Sequence, residues 1–330
     1  MNRRSFLTRL AGLGALSVLP PDGARGAVAP VTDRLGELLP TRAFGAMGES
    51  VTMLGVGGAH VGRMGERDAG ETIEIALEGG VRFFDTAESY QGGGSELALG
   101  RHLVPKYRDV SFIMSKTTAK TAAEARKHLA GSLRRLGTDI LDLWQIHALT
   151  GPEDVDARLA GGVLDAALAA KEAGKIRHIG FTGHTSPSAH LRMLEAAPQD
   201  VFAACQMPVN LVDPSYESFI EQVMPPLAER GIAVLAMKTL ANGGFFGGST
   251  HFEHGDRPKV VPDRVSIREA VHFAWSLPIT VLITGPNEPA HMREKVELAR
   301  SFTGLSANER QELTDRVADM AGTGVEFYKA

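Results

Sequence analysis

From about residue 50 the chain alternates short apolar runs with longer stretches in which apolar positions recur every three or four residues. The short runs read as β-strands and the longer ones as amphipathic helices. The first four strands fall at "VTMLGVG" (51–57), "RFFD" (82–85), "VSFIMSK" (110–116) and "ILDLWQIH" (140–147). Four more follow at "IRHIGFTG" (176–183), "VFAACQMP" (201–208), "GIAVLAMK" (231–238) and "ITVLITG" (279–285). "AAEARKHLAGSLRRLG" is a representative helix, and Gly137, Gly174 and Gly231 stand where helices should stop.

Eight strands alternating with helices predict parallel βα units, which build either an open doubly wound sheet or a closed (β/α)8 barrel. The glycines of "GVGGAHVG" make no clean G-x-G-x-x-G after the first strand, and that favours the barrel. "LPTRAFGAMGES" (39–50) predicts a hairpin closing the barrel bottom. The glycine-rich insertion 240–264 is too long for a simple connector and reads as a lid or substrate loop. A last helix opens at Ser306, with Glu309 three residues on as a capping box.

The first 29 residues stand apart. Arg3-Arg4, then Ser-Phe-Leu, a short Ala/Gly-rich apolar run and a proline-containing stretch resemble a twin-arginine export signal. The run is too short to span a bilayer. The division expected is a signal peptide at 1–29 and a barrel at 30–330. The mature protein would be periplasmic or otherwise extracytoplasmic, with the export machinery as a transient partner and no stable membrane insertion. A net charge of −4 with dispersed Lys and Arg speaks against a nucleic-acid partner. Cys205 is the only cysteine, which excludes an intrachain disulfide and a Cys-based metal site, and it reads as a small buried side chain.

In such a barrel the chemistry belongs at the C-terminal ends of the strands. Those ends carry Asp85, Lys116 and His147 on consecutive strands, with Tyr90 in the loop after Asp85. Each residue alone has an ordinary explanation, as a cap, a solvated lysine, an edge histidine or a loop cover. Together they form a candidate proton-transfer site. A phenol titrates near 10, and a neighbouring ammonium is expected to lower that value. Asp85 would hold Lys116 charged, and His147 would orient a carbonyl whose oxygen takes the proton. Gly92 to Gly94 would turn the chain into the next helix, with Ser95 as its cap.

"FFDTAESY…GGGSELALGRHL", "FIMSK" and "LGTDILDLWQIH" resemble the signature blocks of the aldo-keto reductase superfamily, from about Leu39 to Arg300. The resemblance implies a (β/α)8 barrel that binds a nicotinamide dinucleotide in extended form and reduces an aldehyde or ketone. It makes Tyr90 the general acid, Lys116 and Asp85 its tuning pair and His147 the orienting residue. For the carboxamide of the cofactor it points to Thr182, Gly183, His184 and Gln206, with His184 standing in for an absent asparagine. Met237 would replace a stacking tyrosine, and Lys238 would reach the pyrophosphate. The segment 283–299 resembles the adenosine-phosphate loop, where Gly285 and His291 occupy positions that usually carry basic residues. Arg293 or Lys295 could supply the missing charge. Gly57, Gly58, Leu240 and Asn287 complete the expected cofactor contacts. NADP(H) is the cofactor implied, with NAD(H) as the alternative.

Two other readings compete. One is a non-catalytic dinucleotide-binding sensor, against which the intact tetrad argues. The other is a metal-dependent hydrolase, which no H-x-H or H-E-x-x-H supports, although the insertion holds His251 and His254. The substrate pocket is expected among the insertion, the "AHVGRM" loop and residues near Trp144.

Overall fold

The computed structural model describes residues 30–248 and 255–330; the expected export signal and the pair His251 and His254 lie outside them. Eight parallel strands close into a barrel. They are β1 (Leu54–Gly57), β2 (Phe83–Asp85), β3 (Phe112–Thr117), β4 (Leu141–Leu149), β5 (Ile176–Gly183), β6 (Ala204–Pro208), β7 (Ala233–Met237) and β8 (Val281–Thr284). Each pairs with its neighbours in sequence, and β8 pairs with β1 to complete the circle. The expected order and fold class are both present. Three of the described helices open with a full capping box. Ala122–Leu136, for example, opens with a Thr121/Glu124 capping box and ends at Gly137 in the left-handed conformation.

Period two in each strand sorts the side chains into two cores. Phe83, Phe112, Met114, Leu143, Ala204, Leu235 and Val281 fill the barrel interior. Phe84, Ile113, Trp144, Ile146, Cys205 and Met207 point outward, into the layer shared with the helices. Trp144 is therefore a buried shell residue. Cys205 is buried as expected.

The hairpin at the barrel bottom is real, but its second strand is Ser50–Thr52, which pairs with Thr41–Ala43. It takes the first residues of the run 51–57, so β1 starts only at Leu54. An apolar run does not say which of two sheets its residues join. The turn drives Phe44 into the barrel floor, 5.1 Å between ring centroids from Phe112, which stacks in turn on Phe83 at 4.9 Å. Gly45 makes this approach feasible. It has φ +55, and a Cβ there would lie 2.3 Å from the Gly231 carbonyl oxygen. A second small hairpin, Thr32–Asp33 with Gly36–Glu37, has no counterpart in the sequence reading. Arg82 holds it by donating from Nε to Asp33 Oδ2 at 2.6 Å.

The final helix, Ala307–Val317, opens with the expected Ser306/Glu309 capping box. Beyond it the chain returns to the mouth of the barrel and buries Tyr328 and Lys329 there. Lys329 Nζ donates to Asp213 Oδ1 (2.8 Å), Glu326 Oε2 (2.9 Å) and the Tyr216 carbonyl (2.8 Å). Its three protons are all matched, as a buried ammonium requires.

Two outcomes follow from this packing. Phe44→Ala empties the barrel floor and should destabilise the protein by about 3–5 kcal/mol in urea unfolding. His190, on the helix Pro187–Ala196, is fully buried against Phe181 and Phe219. Burial lowers its pKa to about 4, against about 6.5 in an unfolded chain. Between those values the unfolded state binds the extra proton, so stability falls as pH drops from about 6.5 to about 4, by about 3 kcal/mol from this group. Unfolding free energies measured across that range should show a shallower slope in His190→Leu.

Candidate active site

Inward alternation carries Asp85, Lys116, Gln145, His147 and Gln206 to the upper end of the barrel. Lys116 is 1% exposed. Its Nζ forms an ion pair with Asp85 Oδ1. It also donates to the Thr86 carbonyl at 2.8 Å and to Tyr90 Oη at 3.1 Å. Tyr90 is carried over the mouth by a short left-handed turn, in which Gln91, Gly92 and Gly93 all have positive φ. Glu88 pins this loop to the end of β3, with Oε1 accepting from Thr118 N at 2.8 Å and from Thr118 Oγ1 at 2.6 Å.

Ser95 is not a cap. The helix Gly94–His102 starts after Gly93, and Ser95 lies buried in its first turn. Its Oγ donates to the Gly58 carbonyl at 2.8 Å and shares a 2.7 Å hydrogen bond with Thr86 Oγ1. A Cβ on Gly58 would come within 2.3 Å of the Asp85 carbonyl oxygen. Gly58 thus locks the β1 and β2 ends together, and this close packing accounts for the glycine.

The electrostatics depart from the sequence expectation in one respect. Burial pushes the Tyr90 phenol above its ordinary value, and Lys116 pulls it down without reversing the shift. The open site therefore holds a protonated phenol, ready to donate. Burial alone would lower Lys116, but the Asp85 carboxylate and the phenol outweigh it and raise its pKa, so the ammonium persists. Burial drives His147 well below its usual range, with Lys116, His184, Arg158 and Lys238 adding to the effect. His147 is a neutral imidazole. Its Nδ1 is buried without a hydrogen-bond partner, and its ring meets Tyr90 edge-on at 5.6 Å between centroids.

A cleft of about 290 Å³ leads away from this group. Asp85 and Tyr90 line one part of it, along with Gly57, Gln206, Met237, Lys238 and Leu240. Gly285, Asn287, His291 and Lys295 line another, where the helix Pro289–Arg300 begins. Nine of the thirteen cofactor residues expected from sequence border this one space. The other four do not line it: Gly58 is packed as above, and Thr182, Gly183 and His184 follow one another at the end of β5. Thr182 is buried, Gly183 abuts the Leu149 carbonyl oxygen, and His184 Nδ1 donates to the Tyr328 carbonyl at 3.2 Å.

At the far end the charges are spoken for. Arg293 pairs with Glu71 at 2.9 Å, on the neighbouring helix, and Lys295 is buried in an ion pair with Glu294. His291 Nδ1 accepts from Asn287 N at 3.4 Å, and Asn287 Oδ1 is bonded to His60 Nδ1 at 2.7 Å. Two residues missed in the sequence back residues that line the cleft. Gln145 Nε2 donates to Gln206 Oε1 at 3.0 Å, which leaves the Gln206 amide protons for a ligand. Its place two residues before His147, on the same inward face, was a usable signal. Tyr328 had none, since nothing local says that a C-terminal tail returns to the mouth.

A closed parallel barrel with a phenol–ammonium–carboxylate group and a neutral histidine at its C-terminal rim defines a carbonyl oxidoreductase site. The chain belongs to the Aldo/keto reductase family, whose sequence model matches residues 53–312. It is 25% identical over 313 residues to D-threo-aldose 1-dehydrogenase of Pseudomonas sp, covering 78% of this chain and 92% of that one. It is 28% identical over 222 residues to L-galactose dehydrogenase of Arabidopsis thaliana, covering 61% of this chain and 66% of that one. Among solved structures, the holo form of an aldo-keto reductase from Bacillus halodurans superposes with a TM-score of 0.71 at 21% identity, covering 88% of this chain and all of the other.

Gln145→Ala should weaken dinucleotide binding about 2- to 10-fold, the worth of one net hydrogen bond. Fluorescence titration measures this, and the rate of the chemical step should change little.

Proposed function

We propose that the protein reduces an aldehyde or ketone to an alcohol with a nicotinamide dinucleotide, and runs in reverse as an alcohol dehydrogenase. The observation that carries this is the Tyr90–Lys116–Asp85 chain of contacts opening into a cleft whose lining runs from Tyr90 to the start of the helix at Pro289. The bound dinucleotide would supply the hydride to the carbonyl carbon. Tyr90 donates its proton to the carbonyl oxygen as negative charge develops there. Lys116, anchored by Asp85, stabilises the phenolate left behind. His147, being neutral, offers a hydrogen bond to the same oxygen without competing for the proton. Gln206 would hold the carboxamide end, with Met237 against the ring. Gly285, Asn287, His291 and Lys295 would border the adenosine end.

NADP(H) is the dinucleotide proposed. NAD(H) is the alternative, because Arg293 and Lys295 are already paired with carboxylates. We also propose that residues 1–29 form a twin-arginine signal, so that the folded protein acts outside the cytoplasm. Replacing Arg3-Arg4 by Lys-Lys should then retain the protein in the cytoplasm, as fractionation would reveal.

With a panel of aldehydes, oxidation of NADPH and NADH should be readily measured, and Tyr90→Phe should lower kcat by about 10²–10⁴-fold. Full activity in that variant would overturn the mechanism. Because burial raises the Tyr90 pKa, the reduction rate should hold until pH exceeds the ordinary phenol value of about 10.

A further inference from the structure

One cation at the mouth has no role in the proton-transfer group. Lys238 directly follows β7 and lines the same cleft as Tyr90 and Gln206. Among the described residues no carboxylate lies within ion-pair distance of it. Its backbone is left-handed, φ +58, an uncommon conformation for a residue with a side chain. Its ammonium rests 4.8 Å from the centroid of the Tyr328 ring.

The direction of that lean matters. Tyr328 stands against His184, at the end of β5, with 5.9 Å between ring centroids. Lys238 thus points from β7 towards β5 and the His147 side, away from β8 and the helix at Pro289. The fall in the His147 pKa includes a contribution from Lys238. The platform beneath the ammonium is firm: Tyr328 Oη donates to Glu326 Oε1 at 2.8 Å and accepts from Asn210 Nδ2 at 2.9 Å. Lys329 ties Glu326 to Asp213 below. A half-buried ammonium without a carboxylate is costly unless an anion arrives.

We propose that Lys238 anchors an anionic group of the substrate, so that the protein acts on carbonyl compounds that also carry a carboxylate or similar charge. This rests on the reductase reading above. The other source of anionic oxygens is the dinucleotide pyrophosphate, which the lean towards His147 disfavours. Burial lowers the Lys238 pKa to about 8. The groups around it are the Tyr328 ring, Glu326 beyond the phenol, His184, His147, and Tyr90 and Asp85 across the cleft. The anchor is therefore charged below pH about 8 and lost as pH rises through it.

The test compares 4-carboxybenzaldehyde with its methyl ester in the holoprotein, for wild type, Lys238→Met and Lys238→Arg. The acid should be favoured by about 10-fold or more in kcat/KM, as expected of a charged hydrogen bond. Lys238→Met should erase the preference, Lys238→Arg should keep it, and in wild type it should fade above pH about 8. The dinucleotide Kd, read by fluorescence, should stay the same in both variants. Equal rates for acid and ester in wild type overturn the proposal. So does a Lys238→Met variant that loses dinucleotide affinity while treating acid and ester alike, which would assign the lysine to the pyrophosphate. If no carbonyl is reduced, the reductase reading fails. Calorimetric titration of 4-carboxybenzyl alcohol and its methyl ester into the oxidised dinucleotide complex still decides the role of Lys238: tighter binding of the acid, lost in Lys238→Met, upholds it, and equal binding overturns it.

Discussion

The upper end of this barrel is organised around one buried ammonium. Lys116 has no water to solvate it, so each of its three protons must find a partner: the Asp85 carboxylate, the Thr86 carbonyl and the Tyr90 phenol. That requirement fixes β2 against β3 and brings the loop after Asp85 back over the mouth. It also sets the chemistry, because the same contacts that satisfy the ammonium place a proton-bearing oxygen beside it. The Ser95–Gly58 and Glu88–Thr118 contacts hold this loop in place.

The barrel repeats this logic with other groups. Inward positions are apolar at the floor, where Phe44, Phe83 and Phe112 pack, and polar only at the rim. Gln145 Nε2 donates to Gln206 Oε1 there, which leaves the Gln206 amide protons facing the cleft. His147 has no such partner for Nδ1, and burial, helped by the cations around it, keeps it neutral. The C-terminal tail adds a second buried ammonium, Lys329, satisfied by Asp213 and Glu326. Through Tyr328 this second network reaches His184 and Lys238, making the last residues of the chain part of the wall of the mouth.

Much of this was legible beforehand. The strand count and order followed from apolar runs separated by helical periodicity, and the four rim residues from their positions at strand ends. A run such as "ILDLWQIH" does not by itself declare which of its residues face inward. Once His147 is taken as inward, parity puts Trp144 in the shell and Gln145 inside the barrel, behind Gln206. The expected depression of the Tyr90 pKa was reasoned from one neighbour. Desolvation, which depends on everything around the ring, turned out to be larger.

The sequence by itself determined the architecture, the family and the identity of the proton-transfer group, because these rest on local periodicity and on residues spaced by the βα repeat. Only the tertiary structure decided which strand residues face the cleft and that Ser95 braces a loop where a cap was expected. It alone showed that Arg293 is paired with Glu71, and that a tail more than a hundred residues beyond Asp213 closes over the site. These are contacts between segments distant in sequence, and the balance between burial and charge at each one exists only after the barrel has closed.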